Sequence, residues 1–233
     1  MEEINIVWKP AYMIIPTCYP PLFLFEDVAS QEEFEFLYEL ENMTNPRMDD
    51  VDSMLGDVEL VPIEDRVYGH GATCIMGAFT HPNVNGDRFT DGTYGVFYAS
   101  NSLECAVYET AYHRSQFFKI SNEPKCEIEM RVYNVDIDTK LVDIREDVFE
   151  SLAIYHKSNY TESQKLAKEL KRLGKAGLVY NSVRYINGEN VAIFKPKSCS
   201  NCREMKNLKY VWDGKKINGV YEISGARLIN YTS

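Results

Sequence analysis

The chain has 233 residues, 45% of them hydrophobic and 12% aromatic, enough for one substantial core and outside the range of a disordered polypeptide. A formal charge of −10 argues against direct nucleic-acid binding, which rests on clustered cations. No stretch approaches the ~20 apolar residues needed to span a bilayer, and the acidic start Met1-Glu2-Glu3 is unlike a secretory leader, so a cytoplasmic protein is expected.

Residues 1–65 read as an extension packed on the core. It is extended and proline-rich through Pro10, Pro16, Pro20 and Pro21, then helical, with Ser30 and Glu33 as a capping box ahead of Phe34, Leu37 and Tyr38 and with Asn45-Pro46 as the stop. The main domain follows, over 66–233. Ala72, Ile75, Met76 and Phe79 repeat at helical spacing, and Thr80-His81-Pro82 ends that helix. Gly92 and Gly95 flank an aromatic run whose strand, Val96-Phe97-Tyr98-Ala99, ends near Ala99. Asn101, with Glu104 three residues on, predicts a helix start, followed by an apolar stripe of Leu103, Ala106, Val107 and Ala111. Glu109 lies off that stripe.

Cys126 to Tyr133 alternates Ile128, Met130 and Val132 with Glu127, Glu129 and Arg131, the pattern of a half-buried strand. A helix is expected over 146–157. Another opens at Thr161 with Gln164, carries Leu166, Leu170 and Leu173 and closes at Gly174; the basic run from Lys165 to Lys175 is its solvent face. Short apolar strands are expected at Gly177–Tyr180 and Val191–Phe194, and a terminal hairpin from Leu208–Trp212 through Asp213-Gly214 to a return near Tyr221. Strands and helices mix without regular alternation, an α+β pattern with central antiparallel or mixed sheet flanked by helices. The six cysteines are scattered and expected to be reduced thiols. Cys199 and Cys202 have the spacing of half a zinc site without a second half, so no metal is expected.

Two polar clusters stand out, Gly86 to His113 and Tyr180 to Phe194. The first sets Arg88, Tyr98 and Glu109 across a loop, a strand and a helix, and the second supplies Ser182 and Arg184. A guanidinium offers a planar fork to phosphate oxygens, a tyrosine a ring face and a hydroxyl, and a carboxylate the means to steady a sugar cation. Together they suit an anionic dinucleotide with a sugar bond to break. Each residue alone has a plainer reading: Arg88 as a surface cation balancing Asp87 or Asp91, Glu109 as a solvated helix residue, Tyr98 as core, Ser182 as turn chemistry. Arg66 either reaches a phosphate or pairs with Asp65 or Glu64. His113, four residues after Glu109 on the same helix face, either tunes that carboxylate or, on the plainer reading, is structural.

Taken in order, the motifs resemble the RES-domain family, the toxin half of bacterial toxin–antitoxin pairs. Its pattern of Arg-Phe-x-x-x-Gly, an aromatic strand with Tyr-x-Ala, and Ala-x-x-Glu is met by Arg88, Phe89, Gly92, Tyr98, Ala106 and Glu109; its later Gly-x-x-Tyr-x-Ser-Val-Arg pattern is met by Gly177, Tyr180, Ser182, Val183 and Arg184. Asp91 and Asn181 stand where proline is common in the family, which bears on loop stiffness more than on the reacting groups. The resemblance implies a fold similar to ADP-ribosyltransferase toxins and consumption of NAD, by phosphorolysis or hydrolysis, or by transfer of ADP-ribose to a protein. It implies Arg88, Tyr98, Glu109 and Ser182 as catalytic residues, with Arg66, Arg88, Tyr98 and Ser182 holding NAD as substrate. No further cofactor is implied, only inorganic phosphate as a co-substrate. An Xre-type helix-turn-helix antitoxin is the implied partner, and a homodimer stays open. A non-catalytic interaction protein is the contrasting reading.

Overall fold

The computed structural model describes residues 1–17, 26, 30, 32–33, 56–146, 149 and 153–223. Most of the expected helix after Ser30, the stop at Asn45-Pro46 and residues 147, 148 and 150–152 of the expected 146–157 helix lie outside the described residues; 153–157 contain a turn and not the end of a helix. The capping contact itself is present, with the Glu33 amide donating to Ser30 Oγ at 3.2 Å.

The described residues form an α+β fold, one seven-stranded mixed sheet with three α-helices packed against it. The strands are β1 (Glu3–Pro16), β2 (Phe97–Ser100), β3 (Cys126–Asp143), β4 (Gly177–Asn181), β5 (Glu189–Ile193), β6 (Cys199–Trp212) and β7 (Ile217–Glu222). The helices are α1 (Ala72–Thr80), α2 (Leu103–Ile120) and α3 (Thr161–Arg172). Neighbours run β1-β2-β5-β4-β3-β6-β7, and β1 also pairs with β3, so the first five of these close into a ring from which the β6–β7 hairpin extends. β1 lies along β3 from Glu3 opposite Val142 to Pro16 opposite Met130. The extended N-terminal segment is therefore a member of the sheet.

β3 runs ten residues beyond the expected end at Tyr133. Its register against β6 slips between Val132 and Tyr133 and again between Asn134 and Asp136. In both slips the extra residue belongs to β6, so β3 itself keeps its regular alternation. Met130 and Val132, at even positions, face α2, and Tyr133, Val135, Ile137 and Leu141, at odd positions, face α1, so the buried side of the strand changes after Val132. The change of phase hides the second half of the strand from a period-two reading. β6 likewise begins at Cys199, ahead of the expected Leu208, and β5 begins at Glu189, ahead of Val191.

Three apolar clusters hold these elements. One lies between α1 and the ring, with Met76, Phe79, Phe97, Val135, Val179 and Val191. A second packs α3 and the 89–96 segment on the other face of β4 and β5 through Leu170, Phe89, Leu178 and Ala192. The third packs α2 over β1, β3, β6 and β7. Both faces of β4 and β5 are buried, which is why those strands read as continuous apolar runs. Gly95 has a steric role: a Cβ there would stand 2.3 Å from Phe79 Cα and 2.4 Å from the Ala78 oxygen, so α1 rests directly on this backbone. Among the described residues no helix is long and apolar enough to cross a membrane.

Candidate active site

α2 starts at Ser102, whose Oγ accepts from the Cys105 amide at 3.2 Å, rather than at Asn101. Asn101 is used sideways instead. Its amide donates to the Glu189 oxygen at 2.9 Å and its Oδ1 accepts from the Glu189 amide at 3.2 Å, which ties the head of α2 to the start of β5. Glu109, about two turns into α2, is thereby carried to the ends of β4 and β5. Its Oε1 accepts from Ser182 Oγ at 2.6 Å and from Asn190 Nδ2 at 2.9 Å. Oε2 accepts from no group among the described residues.

Ser182 follows β4 directly. Its amide donates to the Gly188 oxygen at 2.7 Å, and its Oγ accepts from the amides of Arg184 and Tyr185 at 3.1 and 2.9 Å. The turn chemistry expected of this serine and its contact with Glu109 are thus one arrangement: two amides fix the oxygen, and its proton goes to the carboxylate. The 182–188 loop lies on α2, with the Tyr185 ring 5.0 Å from Tyr108 and the Arg184 guanidinium 3.4 Å over Tyr112. Arg184 also donates to the Lys157 oxygen, while its Nε is buried without a hydrogen bond.

Arg88 is only 7% exposed and pairs with neither Asp87 nor Asp91. Its Nη1 donates to the Ile154 and His156 oxygens at 3.1 and 3.0 Å, and its guanidinium lies 4.7 Å from the Tyr160 ring centre. Its Nε and Nη2 donate to none of the described residues. α3 clasps the loop that carries it: Ser163 Oγ donates to the Arg88 oxygen at 2.6 Å, and Gln164 Nε2 donates to the oxygens of Asp87 and Thr90 at 2.9 and 3.1 Å. Tyr98 holds the loop from the sheet side, its hydroxyl accepting from the Phe89 amide at 3.0 Å. Burial, and then the nearby Asp87 carboxylate, keep that hydroxyl well above its ordinary pKa. It stays protonated.

Tyr180 stands among these groups. Burial drives its hydroxyl upward, Glu109 and Tyr98 add to the shift, and Arg88 opposes it. The Phe89 ring stands 4.8 Å from that of Tyr180, the Phe89 amide meets the Tyr98 hydroxyl, and Ser182, two residues after Tyr180, meets Glu109. Arg88, Tyr98, Glu109 and Ser182 therefore share one region, and among the described residues no ion pair joins Arg88 to Glu109. His113 lies nearby, its pKa lowered to about 4 by its protein surroundings first and then by Arg184, Arg88 and Arg114. Three guanidinium groups acting on one imidazole, in a chain of net charge −10, make this a local positive field. Arg66 is placed differently: Nε donates to the Val61 oxygen at 3.0 Å and Nη2 to the Val58 oxygen at 3.2 Å, bracing the turns before α1. Cys199 and Cys202 are buried in β6, and among the described residues no cluster of three or more His, Cys, Asp or Glu is placed to hold a metal.

Asn190 was not a sequence candidate. The available signal was its polarity inside the apolar run Val191-Ala192-Ile193-Phe194, because an amide buried in a strand must find partners.

The RES domain model matches residues 63–213, the stretch that contains Arg66, Arg88, Tyr98, Glu109, Ser182 and Asn190. The chain belongs to the RES-domain family. This RES-domain protein is 22% identical over 226 residues to the uncharacterized protein y4oC of Sinorhizobium fredii (strain NBRC 101917 / NGR234), covering 97% of this chain and 92% of that one. Among solved structures it is similar to the M. tuberculosis MbcT–MbcA toxin–antitoxin complex, with a TM-score of 0.46 and 10% identity over 91% of this chain and 87% of that chain.

Proposed function

We propose that this RES-domain protein cleaves the bond between nicotinamide and ribose in NAD. The observation that carries the reading is Glu109, a carboxylate fixed at Oε1 by Ser182 and Asn190 with Oε2 left to a ligand, in the same region as a buried, pre-set guanidinium. The leaving nicotinamide is already cationic and departs as a neutral base, so the difficulty is the positive charge left on the sugar. A fixed anion beside that charge lowers the barrier without reorganising at the moment of reaction. Arg88 offers Nε and Nη2 to the pyrophosphate, and the protonated Tyr98 hydroxyl serves the ribose or a phosphate oxygen. Attack by phosphate or water on the anomeric carbon completes the step: a C–O bond forms there as the C–N bond breaks, and the bonding pair leaves with nicotinamide.

The RES-domain match supports a role as the toxin of a pair; in this reading the protein acts in the cytoplasm, depletes NAD, and is covered at this region by an Xre-type antitoxin. Purified protein incubated with NAD, with and without phosphate, should yield nicotinamide and either phosphorylated or free ADP-ribose by mass spectrometry. Intact NAD at high enzyme concentration contradicts the reading. Label from NAD that appears on protein instead indicates ADP-ribosyl transfer.

A further inference from the structure

Asn190 is 2% exposed, so its amide must be satisfied inside the protein. The orientation of that amide is determined by its partners. A carboxylate only accepts, so the nitrogen must face Glu109, where Nδ2 lies 2.9 Å from Oε1. Oδ1 then faces two donors, Ser100 Oγ at 2.6 Å and Cys105 Sγ at 3.3 Å. Burial pushes the Cys105 thiol up to about 11, so it keeps its proton at neutral pH. Ser100 ends β2, Cys105 lies one turn before Glu109 on α2, and Asn190 is the second residue of β5. Beneath it, Arg145 pairs with Asp143 and with Glu189, anchoring the residue before Asn190.

We propose that Asn190 is a positioning residue for Glu109, holding Oε1 from below, with Ser100 and Cys105 fixing the amide, so that Oε2 stands toward the sugar. The proposal rests on the reading of Glu109 as the group that steadies the ribosyl cation. Ser182 holds the same oxygen from a loop, whereas Asn190 holds it from the sheet, and a carboxylate bonded from both sides cannot swing.

The test is Asn190→Asp in the full chain, which keeps the shape and the Oδ1 acceptor and replaces the donor with a second carboxyl. Two carboxyls in one site share a proton, and the second ionisation of the pair is raised. The shared-proton form retains a donor to Glu109; the doubly ionised form loses it and adds repulsion. N190D should therefore release nicotinamide from NAD with a descending alkaline limb in its kcat profile that the wild type lacks. Asn190→Ala should lower kcat by roughly ten- to a hundredfold with KM for NAD little changed. Thermal melts of both variants check folding. An active wild type alongside an N190D variant with an unaltered profile, or with a loss independent of pH, overturns the role of Asn190 alone. A wild type that leaves NAD intact overturns the NAD reading and this proposal together.

Discussion

Glu109 carries its charge on a side chain with one oxygen fixed and the other unpaired among the described residues, and this asymmetry makes its neighbours testable. Removing Ser182 Oγ deletes a donor to a charged acceptor, an interaction of about 1.5–3 kcal/mol. Ser182→Ala should thus lower kcat for NAD cleavage by roughly ten- to a hundredfold, measured by nicotinamide release. Arg88→Lys keeps the charge but loses the planar fork that reaches two carbonyls while leaving donors outward; KM for NAD should rise by about tenfold or more. His113 sets a pH dependence. Its folded pKa of about 4 lies below the ordinary 6.5, so the unfolded chain binds the extra proton between those values and stability falls as pH drops through that window. The His113→Gln variant should show a shallower fall in Tm between pH 6.5 and 4 than the wild type; parallel curves count against the lowered pKa. Arg88, Tyr98, Glu109 and Ser182 were readable as candidates because their residue types and spacing form a pattern. Asn190 was not, since its meaning depends on Ser100 and Glu109, about 80–90 positions away in the chain.

At the scale of elements, α3 works as a clamp on the loop that carries Arg88. Gln164 sat in the sequence as part of a helix start, yet its Nε2 bonds the oxygens of Asp87 and Thr90. Gln164→Ala should cost about 1–2 kcal/mol, a Tm fall of roughly 2–8 °C for a chain of this length, and should raise KM for NAD because the loop is loosened. An unchanged Tm and KM contradict the clamp. Amphipathic period recovered α1 and α3, and alternation recovered the first half of β3. The second half was hidden because the buried side of β3 changes after Val132, from even to odd positions. The head of α2 was misread by one residue for a related reason: Asn101 is a good cap in isolation, but Glu189 holds both its amide and its side chain, leaving the cap to Ser102.

On the scale of the molecule, the ring of β1, β2, β5, β4 and β3 brings the two polar clusters of the sequence together, because β5 lies between β2 and β4. β1 precedes the matched segment of 63–213 and still forms part of that ring. Composition alone indicated a folded, acidic chain; it gave no sign that cations would gather near His113, since net charge carries no positions. Close backbone packing supports the ring from within. Gly95→Ala should destabilise the fold by about 1–3 kcal/mol, read as a lower urea midpoint, because the α1 backbone has no room to yield at 2.3 Å. The central claim is that the Glu109 charge, not its shape, drives cleavage. The most direct measurement is steady-state nicotinamide release from NAD by Glu109→Gln beside the wild type. The account predicts a kcat lower by a hundredfold or more, about 3 kcal/mol or greater, with KM nearly unchanged; a variant that turns over NAD at the wild-type rate contradicts it.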